Sequence, residues 1–154
     1  MKKHVLIADR FASDSLVYLQ SQQNMNIEVA ADPLQLPPES LQRANALIIR
    51  SRTPINESIL QAAPQLQLII TCTSGFDHID LEKTEKWGVT VMHTPTANIE
   101  SAAQLTLGHM INLAHQIPKG HQQVKEGQWK RDHIVGTELC GRTLGIVGLG
   151  RIGS

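Results

Sequence analysis

Ala46-Leu47-Ile48-Ile49-Arg50-Ser51-Arg52-Thr53 is a short apolar run that gives way abruptly to two arginines. A run this short, rich in β-branched side chains and bounded by polar residues, is the pattern of a strand buried on both faces. Similar runs recur at His4 to Ala8, Asn26 to Ala30, Leu68 to Cys72 and Val89 to Met92, separated by polar stretches long enough for helices. That alternation predicts βαβ units and a parallel sheet, hence an α/β fold. Helices are expected over Ser13 to Gln22, where Leu16, Val17, Tyr18 and Leu19 cluster, and over Asn56 to Ala63. A further helix over Asp80 to Trp87 opens on a capping aspartate and closes at Gly88. Residues 1–96 should therefore form one α/β unit.

Beyond that unit the pattern changes. From Asn98 to His115, Ala102, Ala103, Leu105, Leu107, Met110, Ile111, Leu113 and Ala114 cover most of a helix circumference, which predicts a helix buried on nearly every side. Pro118 interrupts it, a more polar helix is expected from Lys119 to Gly127, and Trp129 to Gly136 reads as a loop. Residues 97–143 thus form a bridge, and residues 144–154 begin a second domain. Leu144-Gly145-Ile146-Val147 has the composition of a buried strand running into a glycine-rich turn. Its backbone groups and both faces call for neighbouring strands and helices that these residues do not encode, so in isolation it should not be a stable strand.

Bulk properties exclude several classes. The 14 basic and 14 acidic residues balance and are scattered, which argues against a nucleic-acid or anionic-membrane surface. No apolar run approaches the roughly 20 residues needed to span a bilayer. The four-residue apolar stretch ahead of Asp9 is too short for a signal-peptide core. Cys72 and Cys140, without a Cys-x-x-Cys pair, fit reduced thiols in a cytoplasmic protein. His109, His115 and His121 are six residues apart, about 600° of helical rotation per step, so they share no face and suggest no metal site.

Two stretches carry candidate chemistry from the residues alone. Gly148-x-Gly150-x-x-Gly153 has the dinucleotide-binding spacing: the first glycine permits a tight turn, the second lets the backbone approach pyrophosphate, and the third allows close helix-to-strand packing. The amides of Arg151 and Ile152 would then face the anion at a helix N-terminus, although glycine triplets also occur in ordinary turns. Arg50, Ser51 and Arg52 follow a strand at its carboxyl end, where open α/β sheets bind ligands, and guanidinium suits a carboxylate or phosphate. The alternative for both arginines is an ordinary solvated surface.

Five stretches together resemble the D-isomer-specific 2-hydroxyacid dehydrogenases: Arg50-Ser51-Arg52-Thr53, Ser74-Gly75-Phe76-Asp77-His78-Ile79-Asp80, Thr94-Pro95-Thr96-Ala97-Asn98, Ala103-Gln104-Leu105-Thr106-Leu107 and Leu144 through Gly153. The resemblance implies a flavodoxin-like substrate domain plus the first strand of a Rossmann NAD-binding domain, as the N-terminal portion of a larger enzyme. That enzyme would pass hydride between nicotinamide and the C2 of a small anionic 2-hydroxy or 2-oxo acid. NAD is the implied cofactor, with NADP left open, and a homodimer is the implied assembly.

By the same resemblance, the Ser74-Gly75 loop offers backbone amides to the substrate carboxylate, Arg50, Ser51 and Arg52 help to hold the acid, and Asn98 lies near it. Asn98 is equally placed to cap the following helix. Ser74 and Thr106 would contact the cofactor, while a threonine inside a helix also bonds back to its own carbonyls. Asp80 reads as a structural cap. Gln104 stands where many members carry glutamate, which removes any carboxylate role there. The family's catalytic Arg, Glu and His are expected beyond Ser154, so residues 1–154 are expected to be a truncated, inactive portion. An alternative on the same fold is an NAD(H)-sensing corepressor-like module that binds protein partners.

Overall fold

Alternate residues of a strand face opposite sides of its sheet, and here each side finds apolar cover. The computed structural model describes residues 2–154. Its strands are β1 (Lys3–Ile7), β2 (Met25–Val29), β3 (Ala46–Ile49), β4 (Leu68–Thr71) and β5 (Thr90–His93), each within a residue of the apolar run that predicted it. They pair in parallel in the order β2-β1-β3-β4-β5. Leu6 aligns with Glu28 on one side and Leu47 on the other, and Ile48 aligns with Ile70. Leu6, Leu47, Ile49 and Ile69 share one buried cluster with Leu41, Leu60 and Leu66. Val5, Ile7 and Ile48 face the other way, against Phe11, Leu16 and Leu19.

The connecting helices are α1 (Ser13–Gln20), α2 (Pro38–Arg43), α3 (Glu57–Ala62) and α4 (Leu81–Lys86). The side chain of Asn56 accepts from the Ile59 amide at the start of α3, and that of Asp80 accepts from the Lys83 amide at the start of α4. Asp80 thus has the structural role read from its position. Gly88 ends the α4 segment at φ 68°, a left-handed conformation that suits glycine. α2 was not foreseen. Its signals are Pro38 in the first turn and the buried pair Ser40 and Leu41, too few for a periodicity to register. A polar cluster holds it down: Glu28 accepts from Ser40 Oγ at 2.5 Å and bonds His4 Nε2 at 2.8 Å, while Asn26 Nδ2 bonds His4 Nδ1 at 3.0 Å.

The chain divides into two compact units, one ending at Ala97 and the other spanning Asn98–Ser154. The second contains α5 (Ile99–His115), α6 (Ile117–Lys125) and a single 3-10 turn at Arg131–His133. Two expectations change here, the position of the break between α5 and α6 and the burial of α5, while the tail forms no strand, as expected of it in isolation. The break between α5 and α6 falls at Gln116, in the left-handed conformation at φ 51°, rather than at Pro118. Pro118 instead occupies the first turn of α6, where its missing N–H costs nothing. α5 has no buried residue, and Leu105, Leu107, Ile111 and Leu113 are all exposed, because no other part of its unit covers them. Leu144 to Val147 joins no ladder and its apolar side chains are exposed, since no strand pairs with it among the described residues.

Candidate functional site

In the order β2-β1-β3-β4-β5, successive connections run in opposite directions from β1, and the crevice outside the carboxyl ends of β1 and β3 is the place where such sheets take ligands. Residues 9–10 follow β1 and residues 50–53 follow β3. Asp9, Arg10, Arg50, Ser51 and Arg52 line an open cleft of about 410 Å³ at that point. A neighbouring cleft of about 400 Å³ shares Asp9, Arg10 and Arg52 and extends to Val29 and Asp32.

The two arginines are not equivalent. Asp9, with a side chain only 4% exposed, takes Arg52 in a two-point grip: the Nη2 atom lies 2.5 Å from Oδ1 and Nε lies 3.3 Å from Oδ2. The Arg10 amide also donates to Asp9 Oδ1, at 2.6 Å. Arg52, helped by that amide and opposed by burial, holds the Asp9 carboxyl below the usual carboxylate range, and Asp9 in turn raises the Arg52 guanidinium. Arg50 is exposed and makes no side-chain hydrogen bond or ion pair with the described residues. Sequence reading missed Asp9, whose only signal is an acid directly after a buried strand. Thr53, fully buried at the end of the same loop, has a hydroxyl with no hydrogen-bond partner among the described residues.

The next loop toward β5 contains Ser74 and Gly75. It is tied to the loop after β3 by the Ile55 amide donating to the His78 carbonyl at 2.8 Å and the Asp80 amide to the Ile55 carbonyl at 3.1 Å. Within it, Thr73 Oγ1 donates to the Gly75 carbonyl at 2.7 Å and His93 Nδ1 bonds the Ser74 carbonyl at 2.9 Å. Thr71 Oγ1 lies 2.6 Å from Thr73 Oγ1 and 3.0 Å from His78 Nε2. Burial lowers the His78 pKa against the opposing pull of Asp77, and it pushes the Cys72 thiol up despite nearby Arg50. A Cβ placed on Gly75 would meet only Asp77 Oδ2, at an ordinary 3.7 Å. Neither crowding nor a positive φ within the protein calls for glycine at 75.

Arg50, Ser51, Arg52, Ser74 and Gly75 therefore stand along one sheet edge. Asn98, Thr106 and Gly148 through Gly153 belong to the second unit. The Asn98 side chain does not cap α5, so that expectation is corrected. Thr106 Oγ1 donates to the Ala102 carbonyl at 2.8 Å, the intrahelical bond weighed for it. Gly148 has φ 96°, and a Cβ on Gly153 would collide with the Gly148 carbonyl, so both positions need glycine for the turn itself. Gly150 faces open space. Arg151 and Ile152 sit in a single turn closed by the Ser154 amide on the Gly150 carbonyl at 3.1 Å. Among the described residues no cluster of three or more His, Cys, Asp or Glu is placed to hold a metal ion, and no helix is long and apolar enough to cross a membrane.

A doubly wound parallel sheet with basic and glycine-bearing loops at its carboxyl edge defines a ligand-binding α/β domain. The chain belongs to the D-isomer specific 2-hydroxyacid dehydrogenase family: the model of that family's catalytic domain matches residues 5–146. It is 47% identical to D-3-phosphoglycerate dehydrogenase of Rattus norvegicus over 113 residues, covering 73% of this chain and 21% of that protein. Against D-3-phosphoglycerate dehydrogenase of Mycobacterium tuberculosis it is 37% identical over 149 residues, covering 97% of this chain and 28% of the other. The crystal structure of D-lactate dehydrogenase from Aquifex aeolicus, complexed with NAD and lactic acid, superposes with a TM-score of 0.85 at 28% identity, covering 98% of this chain and 46% of that one. The chain thus spans between a fifth and a half of the length of these relatives.

Proposed function

We propose that this chain supplies the substrate-binding part of an NAD-dependent D-2-hydroxyacid dehydrogenase, receiving a small 2-hydroxy or 2-oxo acid at the carboxyl edge of β3 and β4. The observation that carries the reading is the division of labour at the switch point. Asp9 neutralises Arg52, which leaves Arg50 as an exposed guanidinium without an ionic partner among the described residues, beside the glycine loop of Ser74 and Gly75. A guanidinium offers a forked pair of donors to a carboxylate or phosphate. Ser51 adds a hydroxyl on the same loop, and Asn98 is assigned to the substrate through family membership.

The glycine turn suits a dinucleotide. Its tight φ at Gly148, its close approach at Gly153 and its open space at Gly150 are the three properties a pyrophosphate cradle needs. Gly148, Gly150, Arg151, Ile152 and Gly153 would hold the phosphates, and Ser74 and Thr106 are each assigned to the cofactor through family membership. NAD, when bound, supplies the hydride donor or acceptor for substrate C2. Acid/base groups for the hydroxyl proton are assigned outside residues 1–154, so these residues alone bind acid without turning it over. NADH mixed with residues 1–154 and hydroxypyruvate should keep its absorbance at 340 nm.

Isothermal titration of residues 1–154 with 3-phospho-D-glycerate and with D-lactate tests the assignment. Arg50→Gln should weaken binding by about tenfold, equivalent to the loss of roughly 1.4 kcal/mol. Arg52→Gln should weaken it less and act mainly on stability. Equal effects at the two positions, or none at Arg50, would remove the basis of this reading.

A further inference from the structure

We propose that His78, Thr71, Thr73 and His93 are positioning residues for the acid-binding loop: by holding the Ser74 and Gly75 carbonyls inward they turn the amides of Gly75 and Phe76 outward as paired donors for a carboxylate. This inference rests on the proposed function and assigns the working parts of its site.

Proton bookkeeping fixes the direction of the hydrogen bonds. Thr73 has a single hydroxyl proton, and it goes to the Gly75 carbonyl. Thr73 Oγ1 can therefore only accept from Thr71 at their 2.6 Å contact. That spends the Thr71 proton, so Thr71 Oγ1 in turn accepts from His78, whose Nε2 must carry hydrogen. The result is a one-way relay from His78 Nε2–H through Thr71 and Thr73 to the carbonyl of Gly75. Thr71 is completely buried, and each bond in such a chain polarises the next, so the last donor is fixed in place. His93 holds the preceding carbonyl, that of Ser74. A carbonyl can only accept, so His93 Nδ1 carries the hydrogen it shares with Ser74. The ring of His93 also meets Phe76 edge to face, with centroids 5.2 Å apart at 84°.

The planar trans peptide transmits this inward pull to the opposite face. In a trans unit the C=O of one residue and the N–H of the next point in opposite directions, and the chain has no cis peptide among its described residues. Pinning the Ser74 carbonyl toward His93 therefore sends the Gly75 N–H away from it. Pinning the Gly75 carbonyl toward Thr73 does the same for the Phe76 N–H. Among the described residues neither amide finds an acceptor. Two adjacent outward N–H groups can together receive an anion, and the absence of a Cβ at Gly75 leaves the approach to them clear.

Amide-resolved NMR of residues 1–154 reads each part separately. In the free protein the Gly75 and Phe76 amides should exchange at nearly unprotected rates. Addition of D-lactate or 3-phospho-D-glycerate should shift both resonances and slow their exchange. Thr73→Val, which removes the hydroxyl at nearly constant shape, should raise the dissociation constant about tenfold while leaving the spectrum of β1 to β5 unchanged, and Thr73→Ser should restore it. His93→Asn, which retains a donor, should bind better than His93→Ala. If neither acid moves the two wild-type amides, the proposed function itself fails. If they respond but the valine and serine variants bind equally well, the site stands and the positioning role is wrong. Strong protection of either amide in the free wild-type protein would overturn the inference without recourse to any variant.

Discussion

Arg50 and Arg52 sit two residues apart on one loop with the same charge, yet only Arg52 is tied down, because the carboxylate that can reach it is fixed by burial at the end of β1. Asp9→Ala should lower stability by about 1–2 kcal/mol, the scale of hydrogen bonds to a charged group after rehydration of the released guanidinium. The shift of the urea midpoint measures this, and an unchanged midpoint would mean that the ion pair is ornamental. Thr53 offers the opposite case. Its buried hydroxyl has no partner among the described residues, so Thr53→Val should leave stability unchanged or raise it by up to about 1 kcal/mol. Clear destabilisation would reveal a partner for that hydroxyl. Gly75→Ala should fold normally, as its Cβ would have room, and should lose affinity for both acids in the titration that reports on Arg50. Gly75 could be singled out in the sequence from its loop; Asp9 could not, since an acid after a strand takes its meaning from the guanidinium opposite.

The elements that read most clearly were those whose burial is settled by their own sheet. All five strands fall where the apolar runs place them, and Asn56 and Asp80 cap helices because an Asx side chain reaches back to its own backbone whatever the surroundings. Asp80→Ala should cost about 1 kcal/mol in a thermal melt by removing the Lys83 amide's acceptor. Leu60, 1% exposed within α3, should cost about 2–5 kcal/mol as Leu60→Ala, and a loss below that range would place it outside the main cluster. α5 and Leu144–Val147 read less well. Their composition records a demand for apolar cover, and composition does not say which surface meets it. The exposed leucines and isoleucine of α5 support self-association as their cover, and a single species of monomer mass at all concentrations in sedimentation would exclude it.

At the scale of the molecule, titration couples the site to stability. His78 has its pKa lowered by burial, so the unfolded chain binds the proton more readily than the folded one. Its contribution to stability is complete above the ordinary histidine value near 6.5 and is lost as pH falls from there toward the folded value. Asp9, also lowered, contributes above the ordinary value near 3.9 and loses that contribution as pH falls through its folded value. Denaturation midpoints followed from pH 7.5 downward should therefore decline first below about 6.5, and His78→Asn should flatten that first decline. A midpoint that rises on acidification through this range would contradict the sign.

The sequence alone determined the parallel α/β sheet, its strand boundaries to within a residue, the Asp80 cap and the glycine turn, because backbone propensity, side-chain alternation and local hydrogen bonding act over a few residues and leave their pattern in the order of the chain. Only the tertiary structure decided that Asp9 claims Arg52 and leaves Arg50 exposed. It also joined His78, Thr71 and Thr73 in one relay and brought His93 to the Ser74 carbonyl. Those groups meet across loops from different strands, and which donor finds which acceptor is settled by distance in the folded sheet, a quantity that order along the chain does not carry.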